Sequence, residues 1–241
     1  MRRLFVHSPI CVGQPLTLPS DTSHYVSRVL RSQVDDEFEV FNGDGSAYLS
    51  RITHLSKRDV TLDIHTQSSQ QPQPSLRIHL GVALSKGDRL DTIVQKCTEL
   101  GATDITPLIT KHVAFKLNDT QREKKHAHWH KIMLSACEQC QQNHVPTIHP
   151  ITPLDQWANE QQADTALYLH PYAEQSVHQL AQRSITQLSL LIGPEGGLSE
   201  ADVRIADTAQ FEGVTLGPRI LRTETAPIAM TAIAQFLWGD V

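Results

Sequence analysis

Residues 188–203 read LSLLIGPEGGLSEADV, and the stretch changes character in its middle. A strand-like apolar run, Leu188 to Ile192, stops at Gly193, and Pro194, Glu195, Gly196 and Gly197 follow before a polar start to a helix. Ser199 and Asp202 have the spacing of a capping box, with Asp replacing the usual Glu or Gln, so the helix is expected to begin at Ser199. In an open parallel sheet, ligands sit beyond the carboxyl ends of the strands, and glycine there lets a ligand touch backbone. Phosphate fits poorly: no Gly-Lys-Ser/Thr follows, the dinucleotide fingerprint spacing is absent, and Glu195 repels an anion. A cationic or zwitterionic ligand with hydrogen-bonding edges fits better. A glycine-rich turn that holds nothing is the competing reading.

The surrounding chain supports a parallel sheet. From residue 76 onward strands and helices alternate: LRIHLGVAL (76–84), a helix over 88–100 with Ile93, Cys97 and Leu100 on one side, and ITPLI (105–109). A long helix over about 119–142, the short strands TALYLH (165–170), LSLLIG (188–193) and GVTLG (213–217), and a final helix over 226–238 complete the alternation. That last helix, APIAMTAIAQFLW, is apolar nearly all round, which requires cover on more than one face. Residues 67–75, QSSQQPQPS, are too polar to pack and read as a linker between domains at 1–70 and 76–241. Before the linker lie the β-type runs EFEVF (37–41), AYLSRITHL (47–55) and DVTLDIHTQ (59–67), with Asn42-Gly43-Asp44-Gly45 suited to a hairpin. One helix, 21–31, interrupts them, with Tyr25, Val29 and Val26 expected inward and Arg28 and Arg31 sharing a face.

Composition narrows the function. The chain has 241 residues, 39% of them hydrophobic and 20% charged, enough for one large core or a large and a small one. No stretch of about 18 apolar residues occurs and the N-terminus turns polar early, so no membrane span and a cytoplasmic location are expected. Four scattered cysteines agree with a reducing compartment. A net charge of −5 excludes a general nucleic-acid glue, so any RNA is met by local basic patches or by shape. Cys137-x-x-Cys140 beside His144 has no second pair, and His126, His128 and His130 around Trp129 read as a solvated helix face; no metal is expected.

A second loop, LGPRILRTETA over 216–226, again closes an apolar strand with Gly217-Pro218 and places Arg219, Arg222 and Glu224 beside an apolar helix. With this pair of loops the chain resembles the SPOUT class of knotted S-adenosylmethionine methyltransferases, and within it the bacterial 16S ribosomal RNA methyltransferases that act on uridine ring nitrogen 3 near the decoding site. SKGDRLDTIVQKCTELGATDITPL, ACEQCQQNHVP and HYVSRVLR carry the same resemblance, which covers the whole chain. It implies an α/β fold: a small N-terminal β-barrel PUA-like domain that binds RNA, then a parallel-sheet domain whose C-terminal segment threads a loop as a trefoil knot. It also implies a homodimer that covers the apolar face of helix 226–238, and 16S rRNA in the small ribosomal subunit as substrate. Three loops would hold S-adenosylmethionine: Leu169-His170-Pro171; Ile192, Gly193, Glu195, Gly196 and Gly197; and Leu216, Gly217, Ile220 and Leu221.

Uridine N3 carries a weakly acidic proton, so the enzyme must make it a nucleophile at neutral pH, and one route is a base with a cation that stabilises the charge spread onto the carbonyl oxygens. Arg222 is the candidate cation, since a guanidinium suits a planar oxygen edge; the bland alternative is a plain ion pair with Glu224. Glu138, and after it Glu195, are the candidate bases, Glu138 alternatively capping a helix junction. Arg2, Arg3, Arg28, Arg31 and Lys86 are the candidate RNA contacts, or else scattered solubility charges. Two rivals stand beside this reading: an RNA-binding module without catalysis, and a nucleotide-using enzyme with an unfamiliar loop.

Overall fold

A computed structural model describes residues 1–56, 58–111 and 117–241. The chain forms two compact units, Met1–Gln73 with Cys137–Val145, and Pro74–Ala136 with Pro146–Val241. The return of nine central residues to the first unit was not legible in the local pattern. Its cause is long-range: Cys137 is buried against Phe41 and Ala47. Asn143 Nδ2 donates to the carbonyl of Gly45 at 3.1 Å and to Ser69 Oγ at 3.0 Å.

The first unit comprises strands β1 (Arg2–Phe5), β2 (Pro15–Thr17), β3 (Glu37–Phe41), β4 (Ser46–Leu55) and β5 (Val60–Gln70), with helix α1 (Ser20–His24). The strand order is β1-β3-β4-β5-β2, and β1 with β3 is its parallel pair. Gly43 (φ 93°) and Gly45 (φ 96°) take the left-handed backbone that the β3–β4 hairpin needs. Val26, Phe38, Val40, Ile52 and Leu62 are fully buried in its core.

The helix expected over 21–31 is shorter and differently wound. After α1 the chain makes a π-helical turn, Tyr25–Val29, in which the Leu30 N–H reaches the Tyr25 carbonyl at 3.0 Å. The wider turn rotates the register. Val26 is buried, but Tyr25 and Val29 are 42% and 61% exposed, contrary to the α-helical expectation. Arg31 sits beyond the turn at φ 53°, so it does not share a helical face with Arg28.

The second unit holds β6 (Arg77–Ala83), α2 (Arg89–Glu99), β7 (Asp104–Ile109), α3 (Asp119–Cys140, whose last turn joins the first unit), β8 (Thr147–Ile148) and β9 (Thr152–Pro153). It continues with α4 (Leu154–Glu160), β10 (Thr165–Leu169), β11 (Gln175–Ser176), α5 (Val177–Leu180), β12 (Gln187–Ile192), α6 (Glu200–Thr208), β13 (Glu212–Thr215) and α7 (Thr225–Trp238). The sheet order is β11-β13-β10-β12-β6-β7-β8, with β9 also on β7, and every pairing is parallel. Residues such as Ile78, Leu80, Leu167 and Leu190 are fully buried, as strands covered on both faces require. Ser199 does cap α6: its hydroxyl accepts the Asp202 N–H at 3.2 Å, while the Asp202 carboxylate accepts the Ser199 N–H at 2.9 Å. α7 buries Pro227, Met230, Thr231, Ala234 and Gln235, yet Phe236 on it is 72% exposed. The helix is therefore covered on one side within the chain.

Candidate functional site

Strands β13, β10 and β12 are neighbours in the sheet and run parallel, so their carboxyl ends, near Thr215, Leu169 and Ile192, reach the same edge. The loops that follow them are distant in sequence and converge there. They enclose a cavity of about 680 Å³. Leu169, His170 and Pro171 from the first loop, Ile192, Gly193, Glu195, Gly196 and Gly197 from the second, and Leu216, Ile220, Leu221 and Arg222 from the third all line it. Gly217 is not on the lining; at φ 99° it makes the turn, where Thr215 Oγ1 donates to its carbonyl at 3.0 Å. Tyr172, Thr223 and Arg89, which local pattern does not single out, also line the cavity, as does Glu224 of the charged second loop.

The cavity's fit to a ligand held by backbone was tested at its glycines. A Cβ on Gly196 or Gly197 meets no protein atom within 4 Å, so side chains there enter the space that the loops leave open. Gly193 differs: its Cβ would lie 3.0 Å from the Leu198 nitrogen and 3.1 Å from Leu198 Cγ, so the loop's own closure demands glycine.

Charge in the cavity is organised by Arg89, the first residue of α2. Its guanidinium pairs with Glu195 from the second loop and, through Nε at 3.5 Å, with Glu224 from the third. Glu195 also accepts the Lys86 backbone N–H at 3.2 Å, and Arg89 returns a bond to the Lys86 carbonyl at 3.2 Å. Lys86 thus contributes backbone at the cavity rim, with an exposed side chain. The ion pair imagined between Arg222 and Glu224 does not form, because Arg89 takes Glu224. Among the described residues, no ion pair or side-chain hydrogen bond engages the Arg222 guanidinium; its carbonyl accepts the Thr225 and Ala226 N–H groups that start α7.

Two expected site residues lie elsewhere. Glu138 belongs to the first unit and does not line the cavity. It accepts the Phe5 N–H at 3.0 Å; burial raises its pKa above the usual glutamate range, opposed by that bond and by Arg3. It ties β1 to the end of α3 rather than capping a helix junction. Arg3 is likewise no RNA-facing charge: its side chain is 7% exposed and pairs with Glu39 at 2.7 Å, donates to Asn143 Oδ1 at 2.7 Å and lies over the Phe41 ring. Arg3→Ala should therefore cost stability, by about 1–3 kcal/mol, since it removes the charged partner of the partly buried Glu39 carboxylate and of the buried Asn143 amide oxygen. The shift of the denaturant midpoint measures it; a change under about 0.5 kcal/mol, as at an ordinary surface site, contradicts this placement. Arg2 donates to the Leu30 carbonyl and to Ser32 Oγ, both at 3.1 Å, and remains exposed with Arg28 and Arg31. Of the helix histidines, His126 bonds the Ile148 carbonyl at 2.8 Å and His128 pairs with Asp91 at 2.7 Å.

The family model for an RNA methyltransferase domain matches residues 71–235, and the model for an RNA methyltransferase PUA domain matches residues 18–64. The chain belongs to the RNA methyltransferase family. Its relatives include the ribosomal RNA small subunit methyltransferase E of Buchnera aphidicola subsp. Schizaphis graminum, 32% identical over 99% of this chain and 97% of that protein. The protein of the same name from Bacillus subtilis is 32% identical over the full length of both. Among solved structures, a Legionella pneumophila methyltransferase in complex with bound SAM superposes with a TM-score of 0.93 at 34% identity, covering 99% of this chain and 98% of that one. A Neisseria gonorrhoeae ribosomal RNA small subunit methyltransferase E bound to S-adenosyl methionine gives 0.91 at 34% identity, covering 100% and 99%. No helix among the described residues is long and apolar enough to cross a membrane.

The methyltransferase has a second cavity, about 650 Å³, at the amino ends of β6, β7 and β12. There His79 Nε2 meets Thr106 Oγ1 at 2.8 Å and accepts the Trp157 indole N–H at 3.2 Å, while its ring stacks on His149, which pairs with Asp104. Burial lowers the His79 pKa to about 4 from 6.5, against the pull of Asp104 and with the help of His149 and Arg77. The unfolded chain then takes this proton first as pH falls, so the contribution is complete above 6.5 and is lost on the way down to about 4. The loss amounts to roughly 3 kcal/mol. His79→Gln should flatten that part of the stability profile in denaturant unfolding at neutral and acid pH; an unchanged profile assigns the loss to another group.

Proposed function

We propose that this methyltransferase transfers the methyl group of S-adenosylmethionine to ring nitrogen 3 of a uridine in 16S rRNA, near the decoding site of the small ribosomal subunit. The observation that carries the reading is the convergence of three glycine- and proline-bearing loops at the carboxyl ends of β13, β10 and β12 around one cavity. S-adenosylmethionine supplies the methyl as an electrophile on its sulfonium. Gly193, Gly196 and Gly197 leave backbone open to the adenine edge and the amino-acid tail, with Leu169, His170, Pro171, Ile192, Leu216, Ile220 and Leu221 as the surrounding wall and Glu195 at the rim. Gly217 sets the third loop's turn.

Arg222 directs its guanidinium to the uracil, where its planar donors match a carbonyl oxygen that gains charge as N3 loses its proton. Arg2, Arg28, Arg31 and Lys86, all exposed, contact the RNA backbone. The C-terminal segment passes through a preceding loop as a trefoil knot, and two copies pair over the α7 face that exposes Phe236. A protein that acts on ribosomal subunits works in the cytoplasm.

The test is transfer of tritiated methyl from the cofactor to small subunits that lack the modification, followed by nucleoside analysis. Label in N3-methyluridine is the expected result. Label in another nucleoside overturns the substrate assignment, and cofactor binding without transfer supports a binding module instead.

A further inference from the structure

We infer that Glu224 is the general base of this site, an assignment that rests on the uridine reading above. Two carboxylates line the cavity, Glu195 and Glu224. Glu195 is engaged: its Oε1 accepts both the Lys86 N–H and the Arg89 guanidinium. Asp202, nearby in sequence, spends its oxygens on the Ser199 cap and the Lys111 N–H. Glu224 is different. Its Oε2 is buried and accepts no hydrogen bond among the described residues, although Arg89 Nε stands 3.5 Å away as an ion-pair partner.

A buried carboxylate oxygen without a donor costs stability, and a site that keeps one has a use for it. Glu224 occupies the N-cap position of α7 but makes no capping bond, so helix capping does not account for it. The donor that belongs there is a ligand N–H. His170, the imidazole on the lining, already has a protein partner: its Nδ1 accepts the Tyr172 N–H at 3.3 Å.

One Arg89 guanidinium is shared between two carboxylates, so it is not committed to Glu224 alone. Arg222, two residues before Glu224 on the same loop, also lines the cavity and supplies a positive charge there. In the step, Glu224 takes the N3 proton and the N3 electron pair forms the new N–C bond to the methyl carbon. The C–S bond breaks, its electron pair stays on sulfur, and the neutral thioether leaves. Base and cation thus act on one uracil ring, Glu224 at N3 and Arg222 at a flanking carbonyl.

Glu224→Gln tests this through cofactor affinity by calorimetry and single-turnover transfer to small subunits at several pH values. Affinity should be preserved and transfer should fall by roughly 100-fold or more at neutral pH, the scale of general-base catalysis. The deficit should shrink as pH rises, because uridine then loses its proton unaided. Glu224→Asp, with the carboxylate on a shorter arm, should keep the wild-type pH profile at a reduced rate. A loss of cofactor affinity in Glu224→Gln, a deficit equal at every pH, or an Asp variant with the Gln profile overturns the assignment. If the wild-type protein transfers no methyl to uridine, the functional reading fails and not this assignment alone.

Discussion

Arg222→Ala should bind S-adenosylmethionine as the wild-type protein does and methylate small subunits roughly 100-fold or more slowly, the loss seen when one preorganised donor leaves a site. The size of the effect follows from what the side chain does in the free protein: among the described residues it pairs with nothing, since Arg89 has taken Glu224. A charge held without a partner beside the ligand space stabilises only what arrives there, and a negative uracil arrives only as N3 is deprotonated. Removing an interaction made chiefly in the transition state lowers rate rather than affinity. Arg222→Lys should recover part of the rate, since ammonium lacks the planar fork. Near-normal transfer by Arg222→Ala at saturating RNA rules this role out. Lost cofactor affinity would move Arg222 to the structural side of the loop.

Gly196→Val should abolish measurable cofactor binding while the protein still unfolds at the wild-type temperature. The glycine lines the cavity, no left-handed backbone forbids a side chain there, and a Cβ meets no protein atom within 4 Å. The β-carbon thus meets open space at the cavity wall, and the isopropyl group is expected to compete with the ligand rather than with the loop. Gly193→Val is the less discriminating variant, because the same group would strike the Leu198 backbone and distort the loop itself. At Gly217 a valine would be strained by φ 99° before any ligand arrived. Calorimetry beside thermal unfolding separates these cases, and retained affinity in Gly196→Val would remove the second loop from the cofactor site.

The sequence by itself determined the parts whose cause is local. The apolar runs that become β6, β10, β12 and β13, the Ser199–Asp202 cap of α6, the glycine-bearing hairpin after β3 and the two glycine-bearing loops after β12 and β13 follow from neighbours within a few residues, whereas the loop after β10 came only from the family resemblance. Tertiary structure decided the rest. Arg89 meets Glu195 across 106 positions, Arg3 meets Asn143 across 140, and Glu138 receives the Phe5 N–H across 133. No periodicity links such residues. Even Tyr25 and Val29 turned outward only because the chain chose a π-helical turn that buries Val26 in the β-sheet core. Side-chain period and turn chemistry are properties of a short segment, whereas the partner of a charge depends on which strands the sheet places side by side. That is why the two glycine-bearing loops could be read from the sequence, and why the pairing that occupies Glu195 and, among the described residues, leaves Arg222 without a side-chain partner and one Glu224 oxygen without a donor could not.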